Sequence, residues 1–149
     1  MSEPIAFPST TANFSLPLLF LGQAQKEPFI NHALSLVDAL LAGVVTSSLA
    51  IPPSDPPEGH SYRILAGANN EWAGHDDEIA LWIGGAWEFV TPSIGLSVFD
   101  QAEGIQLRYD GSWQSAIEPS TPTGGSTIDT EARAAISELI DALRAAHLV

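Results

Sequence analysis

The sequence contains no cysteine. Disulfide bonds and thiolate metal sites are therefore excluded, and nothing in the chain reports its redox compartment. Basic residues are scarce: five Lys and Arg stand against eighteen Asp and Glu, a formal net charge of -13. Such a surface repels phosphate backbones and anionic bilayers, so neither nucleic-acid binding nor membrane insertion is expected. Charged residues of all kinds make up 15% of the chain, against about 25% in a typical globular domain. A surface so thin in charge implies that other subunits cover much of it. Long hydrophobic runs are missing as well. The best of them, residues 14–21, is broken by Pro17 and is too short to span a bilayer. Only Glu3 carries charge before it, so the basic flank of a secretory signal is lacking, and the reading is a soluble protein made in the cytoplasm.

Signatures of catalysis are also wanting. There is no Gly-x-Ser-x-Gly nucleophile motif and no phosphate loop. The four His residues lack the pairwise spacing of a zinc helix. His75-Asp76-Asp77-Glu78 is the densest polar cluster, yet it lacks the alternating oxygen ligands of a calcium loop. It reads as a solvated loop before a strand. The expectation is therefore no metal, no cofactor and no enzyme.

What the chain does contain is a repeated hairpin. Leu81-Trp82-Ile83-Gly84-Gly85-Ala86-Trp87 is followed 26 residues later by Leu107-Arg108-Tyr109-Asp110-Gly111-Ser112-Trp113. Gly-Gly and Asp-Gly both accept positive φ, which suits a two-residue turn matched to the twist of its strands. Apolar alternation with period two predicts strands at 60–65, 79–83, 86–90, 96–100, 105–109 and 112–117. Residues 44–50 suggest one more short strand.

Two segments have helical periodicity. In 24–43, Pro28 suits the first turn, Gly43 suits the stop, and Phe29, Ala33, Leu34, Val37, Leu40 and Leu41 recur at helical spacing. In 128–147, Thr127 or Asp129 can cap the start. There Ala132, Ile136, Leu139, Leu143 and Ala146 form a stripe with the spacing of a bundle seam. The expected organisation is α+β: an extended N-terminal arm (1–23), a helix plus small antiparallel β-meander (24–117), a linker (118–127) and a C-terminal oligomerisation helix (128–149). Ile136, Leu139 and Leu143 are the candidate oligomerisation residues. The arm carries bulky apolar residues without periodicity, so it must pack on its own domain or on a neighbour.

Four aromatic residues of the repeat, Trp82, Trp87, Tyr109 and Trp113, are candidate glycan-binding residues, because flat apolar faces beside polar groups suit sugar rings. Large aromatics at strand positions are more often core, and that reading stands beside the first. Adjacent Trp82 and Ile83 must point to opposite faces of their sheet.

The segment Leu16-Pro17-Leu18-Leu19-Phe20-Leu21-Gly22-Gln23-Ala24-Gln25-Lys26-Glu27 resembles the opening signature of a family of uncharacterised proteins of bacteriophages, prophages and gene transfer agents. Pro56-Pro57-Glu58-Gly59 leading into Tyr62, Trp72-Ala73-Gly74-His75, Gly85-Ala86-Trp87-Glu88-Phe89, Gly95 and Asp110-Gly111-Ser112-Trp113 follow in the same order. The resemblance implies a virion component, a head spike or tail fibre subunit or its base, serving host-surface attachment. The C-terminal stripe leads to self-association, as a trimer first and a pentamer second, and the apolar arm to contacts with other capsid or tail proteins; the chain then either contacts a host-surface glycan or holds a partner that does. The resemblance supplies no catalytic residues. The alternative reading is a small glycan hydrolase acting on capsule or cell wall.

Overall fold

The computed structural model describes residues 9–19, 22, 26–126 and 129–149. The first eight residues of the arm, the Gln23-Ala24-Gln25 part of the opening signature and the Thr127 cap lie outside the described residues. Two helices and eight strands follow in the order α1 (Glu27–Ala42), β1 (Val44–Val45), β2 (Ser48–Leu49), β3 (Ser61–Ile64), β4 (Ile79–Ile83), β5 (Ala86–Val90), β6 (Ser97–Asp100), β7 (Ile105–Tyr109), β8 (Trp113–Ser115) and α2 (Thr130–Ala145). The class is α+β, as the sequence led one to expect. The single antiparallel meander is not what forms. The strands make two four-stranded sheets, β1-β6-β7-β8 and β2-β3-β4-β5.

Each sheet is a three-stranded antiparallel meander with one parallel strand on its edge. Both edge strands come from one short stretch of chain. β1 pairs parallel with β6, and three residues later β2 pairs parallel with β3. Side chains reinforce the junction. Ser48 Oγ donates to the buried Asp100 carboxylate (2.6 Å), which also accepts from the backbone N–H groups of Ala102 (3.0 Å) and Glu103 (3.2 Å). The inner faces of the sheets supply one core: Val45, Ile79, Leu81, Val98, Leu107 and Trp113, joined by Ala39 from α1. A second cluster of Tyr62, Ile64, Trp72 and Ala80 lies on the outer face of the β2-β3-β4-β5 sheet, with Trp87 and Phe89 packed on it.

The two halves of the sequence repeat do not fold alike. In the first, Ile83 pairs with Ala86, leaving the two-residue turn Gly84-Gly85 with φ of 62 and 81°. In the second, Tyr109 pairs with Trp113, so Asp110, Gly111 and Ser112 form a three-residue loop. Only Gly111 among them has positive φ. A two-residue turn would have placed Trp113 opposite Arg108, on the outer face. The extra loop residue shifts the register by one and turns Trp113 inward, because strand side chains alternate with period two. Trp113 is 8% exposed, whereas Trp87 lies on the outer face opposite Trp82. Trp113 Nε1 donates to the Asp77 carbonyl across the core (2.8 Å), and the Arg63 guanidinium lies 5.9 Å from its ring centroid.

The described part of the arm docks on its own domain. Asp38, on α1 and 2% exposed, holds it. Its carboxylate accepts from Thr11 Oγ1 (2.7 Å), the Asn13 backbone N–H (2.8 Å), Asn13 Nδ2 (3.0 Å) and the Phe14 backbone N–H (2.8 Å). Asn31, two turns earlier, exchanges bonds with the Leu19 backbone through its amide (2.8 and 3.1 Å). Gly59, at φ 78°, lets Ala12 approach so closely that a Cβ there would sit 2.2 Å from the Ala12 Cβ. α1 thus turns a polar face, Glu27, Asn31 and Asp38, toward the arm. Ala39 and Leu36 face the core, while Phe29, Val37 and Leu41 point outward, 79%, 53% and 67% exposed.

α2 begins at Asp129, whose side chain accepts from the Ala132 N–H (2.9 Å). It is tied to its own chain. Arg144 pairs with Glu118, His147 Nδ1 lies 3.1 Å from the Gly104 carbonyl oxygen, and the His147 ring meets Phe99 edge-on at 5.2 Å. Ile140 is buried, Leu143 is half-buried, and Ile136 and Leu139 are 42% and 60% exposed.

Two expectations follow. Burial pushes the Asp38 pKa up, but the hydrogen bonds from Thr11, Asn13 and Phe14 outweigh it and hold the carboxyl below its ordinary value. A carboxyl with a depressed folded pKa stabilises the fold above its unfolded value. That contribution is lost as the pH falls below about 4, through the folded value. Asp38→Asn should cost about 1.5–3 kcal/mol at neutral pH, flatten the acid limb of the stability profile, and expose the arm to limited proteolysis ahead of the sheets. An unchanged acid limb would count against this role. Deleting Ser112, which shortens the second loop to two residues, should evict Trp113 from the core. Circular dichroism and tryptophan fluorescence should then report unfolding or a red-shifted emission.

Candidate glycan-binding cleft

Trp82 and Trp87 face one another across the β4–β5 hairpin, their ring centroids 4.9 Å apart and their planes at 63°. The short Gly84-Gly85 turn fixes that register. Trp87 is held from behind. It meets the fully buried Trp72 edge-on at 5.0 Å and Tyr62 at 5.8 Å. Trp72 arrives on a single turn of 3₁₀ helix, Asn70–Trp72, which also brings Asn70 and Glu71 to the site. The proline-rich run at 52–57, stiff in extended conformation, supplies the facing side. Together Pro52, Pro53, Ser54, Asp55, Pro56, Asn70, Glu71, Trp82 and Trp87 line a cleft of about 360 Å³.

The chemistry of that lining is specific. Two half-buried indoles and three prolines offer apolar surface. Ser54, Asp55, Asn70 and Glu71 offer hydroxyl, carboxylate and amide groups. None of the five basic residues lines the cleft among the described residues. Such a site suits a ligand with apolar C–H faces and many hydroxyls, and disfavours an anion.

Of the four aromatic residues singled out from the sequence, the structure brings two together here and places two elsewhere. Tyr109 and Trp113 pack against each other at 5.4 Å on the inner face of the other sheet, within the core. The residues that sequence reasoning missed are Ser54, Asp55, Asn70 and Glu71. The proline run was legible as a stiff connector, but nothing local showed that it lies against a hairpin 30 residues away.

In the acidic cluster at 75–78, His75, Asp76 and Glu78 spend their side-chain groups within the protein. The Asp76 carboxylate accepts from the backbone N–H groups of Ala68 (3.0 Å) and Gly67 (3.2 Å), which hold its pKa below the ordinary value. Glu78 accepts from Thr91 Oγ1 (2.7 Å) and lies 2.7 Å from His75 Nδ1; the Thr91 bond leads in drawing its carboxyl down, with His75 assisting against burial. The His75 ring stacks on Phe89 at 3.6 Å. These carboxylates close a loop. Among the described residues no three His, Asp or Glu side chains converge as a metal-binding group.

The molecule is thus an α+β sandwich of two meanders with an aromatic cleft on one outer face. The chain belongs to the family of proteins of unknown function DUF2793, which it matches over residues 30–114, from the second turn of α1 into β8. The cleft and both sheets, but for Ser115 at the end of β8, fall within that match; α2 lies outside it. The chain is also similar to the FLYWCH-type zinc finger-containing protein peb-1 of Caenorhabditis briggsae, 31% identical over 108 residues that cover 64% of this chain and 24% of that protein. The chain therefore spans about a quarter of the length of that curated relative. Lacking cysteine, it has no thiolate donors for a zinc finger of the usual ligand sets.

Treatment with a chelator should leave the melting temperature unchanged. A drop of several degrees would mean that Asp76, Asp77 and Glu78 hold a cation instead of serving the loop alone.

Proposed function

We propose that this protein is a structural component of a bacteriophage or gene-transfer-agent particle, a head spike or tail fibre subunit or its base, that takes part in host-surface attachment by gripping a glycan in the Trp82–Trp87 cleft. The observation that carries the reading is that cleft: two indoles held at 63°, with Ser54, Asp55, Asn70 and Glu71 beside them. Sugar rings present C–H faces to indoles and hydroxyls to carboxylates and amides. The virion assignment rests on the resemblance of the Gly22-Gln23-Ala24-Gln25-Lys26 segment and the pieces that follow it. Self-association through Ile136, Leu139 and Leu143 of α2, and contacts of the arm with other capsid or tail proteins, belong to the same proposal. Phe14, 52% exposed on the docked arm, is a surface for such contacts.

The ligand is a neutral or cationic saccharide. Asp55 and Glu71 in the lining and a chain charge of -13 repel anionic capsule. The same two carboxylates support the second reading, a glycan hydrolase, since hydrolysis of glycosides uses such a pair. In the first reading they only accept hydrogen bonds, and bound oligosaccharide stays intact.

Titration of neutral, amino and acidic oligosaccharides against the intact protein tests both. Trp82 packs on Trp87 but belongs to neither buried cluster. Trp82→Ala should therefore weaken binding about tenfold or more, a loss of about 1.4 kcal/mol per decade, while shifting the melting temperature by only a few degrees. Tyr109→Ala should destabilise the fold. No saccharide binding, or full binding by Trp82→Ala, would sink the proposal. New reducing ends that vanish in Glu71→Gln or Asp55→Asn would favour the hydrolase.

A further inference from the structure

The Trp82–Trp87 cleft carries an electrostatic signal besides its indoles. Asp55 and Glu71 both line it, and both are exposed. Among the described residues their carboxylates meet no hydrogen-bond donor and no cation. The buried carboxylates of the fold are spent differently: Asp38 accepts from Thr11, and Asp100 from Ser48. Basic groups that could have answered the cleft have other partners. Arg63 lies beside the Trp113 ring, and Arg144 pairs with Glu118 and Asp141.

Both charges are carried on backbone that is already fixed. Asp55 precedes Pro56 in the proline run, which confines it to extended conformations. Glu71 sits in the 3₁₀ turn that the fully buried Trp72 anchors. A ligand that meets them therefore has little backbone to order.

The angle between the indoles narrows the ligand further. Their planes are inclined at 63°, so a flat sugar ring can lie along only one of them. The other is left to a compact group that projects from the ring. An indole face attracts a cation, and the two carboxylates accept charge-assisted bonds from N–H donors. A protonated amine satisfies both. A hydroxyl brings no charge, an acetamide has an N–H without charge, and a quaternary ammonium has charge without an N–H. The volume of about 360 Å³ exceeds what an ammonium group alone would fill. It falls in the range of small-molecule sites, which begin at about 300 Å³.

We propose that the cleft takes a hexosamine saccharide with a free amine, its ring stacked on one indole and its ammonium held by Asp55, Glu71 and the other indole. This rests on the reading of the cleft as a glycan site, and it narrows the neutral or cationic saccharides of that reading to one class.

Three ligands separate the two: a glucosamine oligosaccharide, its fully N-acetylated counterpart and the matching glucose oligomer. Each is titrated calorimetrically against the full chain at about pH 6, where an amine beside hydroxyls is protonated. The free-amine oligomer should bind about tenfold tighter than either of the others. That advantage should vanish at an ionic strength of about 1 M, where charges are screened within a few ångströms. Asp55→Asn with Glu71→Gln should abolish it as well, so that the variant binds the free amine no better than the acetylated form. Both side chains are exposed and bonded to nothing among the described residues, so the melting temperature should move by only a few degrees. Equal affinity for all three oligomers, a preference for the acetylated one, or an advantage that survives the double substitution overturns the proposal and leaves the glycan reading standing. Binding of none of them overturns both. Should the double variant fold poorly, the native protein decides: an advantage that salt does not reduce overturns the proposal.

Discussion

The architecture depends on one short stretch of backbone, residues 43–50, that pairs with both sheets at once. Gly43 O accepts from Phe99 N–H (2.8 Å) and Val45 O from Gln101 N–H (3.0 Å); a few residues on, Ser47 O accepts from Arg63 N–H (3.1 Å) and Leu49 O from Leu65 N–H (2.8 Å). Thr46 N–H, between them, donates to Ser61 O (2.8 Å), and Ser61 Oγ returns a bond to Val44 O. Without this strap each meander would be three strands with a free edge, and their inner faces would have no fixed spacing. With it, the sheets are set face to face, Val45 is sealed at the centre, and α1, leaving at Gly43, is placed over one end of the core. The arm then follows from α1, and the cleft from the sheet that the strap aligns.

Much of this was legible in the sequence, and what was not has a local cause. β4, β5 and β7 begin and end where period-two alternation and Gly-containing turns put them, because those signals are short-range. α1 ends at Gly43, which adopts φ 62°, the left-handed cap that its composition announced. The division into two sheets was hidden. Two-residue parallel strands make their bonds to residues far along the chain and leave no alternation to detect. The orientation of α1 was hidden for another reason: periodicity reveals that a helix has an apolar face, but the partner of its polar face helps decide which way it turns. Asp38 found that partner in Thr11, Asn13 and Phe14, about 25 residues upstream.

The site shows the same division. Trp82 and Trp87 could be paired from the hairpin alone, since a Gly-Gly turn fixes their register. Trp113 could not be placed, because Asp-Gly serves a two-residue turn and a three-residue loop equally well, and the choice between them reverses the face. Asp55 and Glu71 reach the indoles only through tertiary packing of the proline run and the 3₁₀ turn.

The slipped register of the second hairpin also bears on how such a protein can change over generations. Two hairpins of one pattern carry opposite burdens. The second is committed inward, where Trp113 touches both sheets and any substitution is felt through the whole core. The first shows Trp82 to the outside and draws on Trp72 behind it for support. Variation at Trp82, Asp55 or Glu71 can therefore alter what the outer face meets while the inner Trp keeps the scaffold constant. One added residue in a loop separates the part free to diversify from the part held fixed.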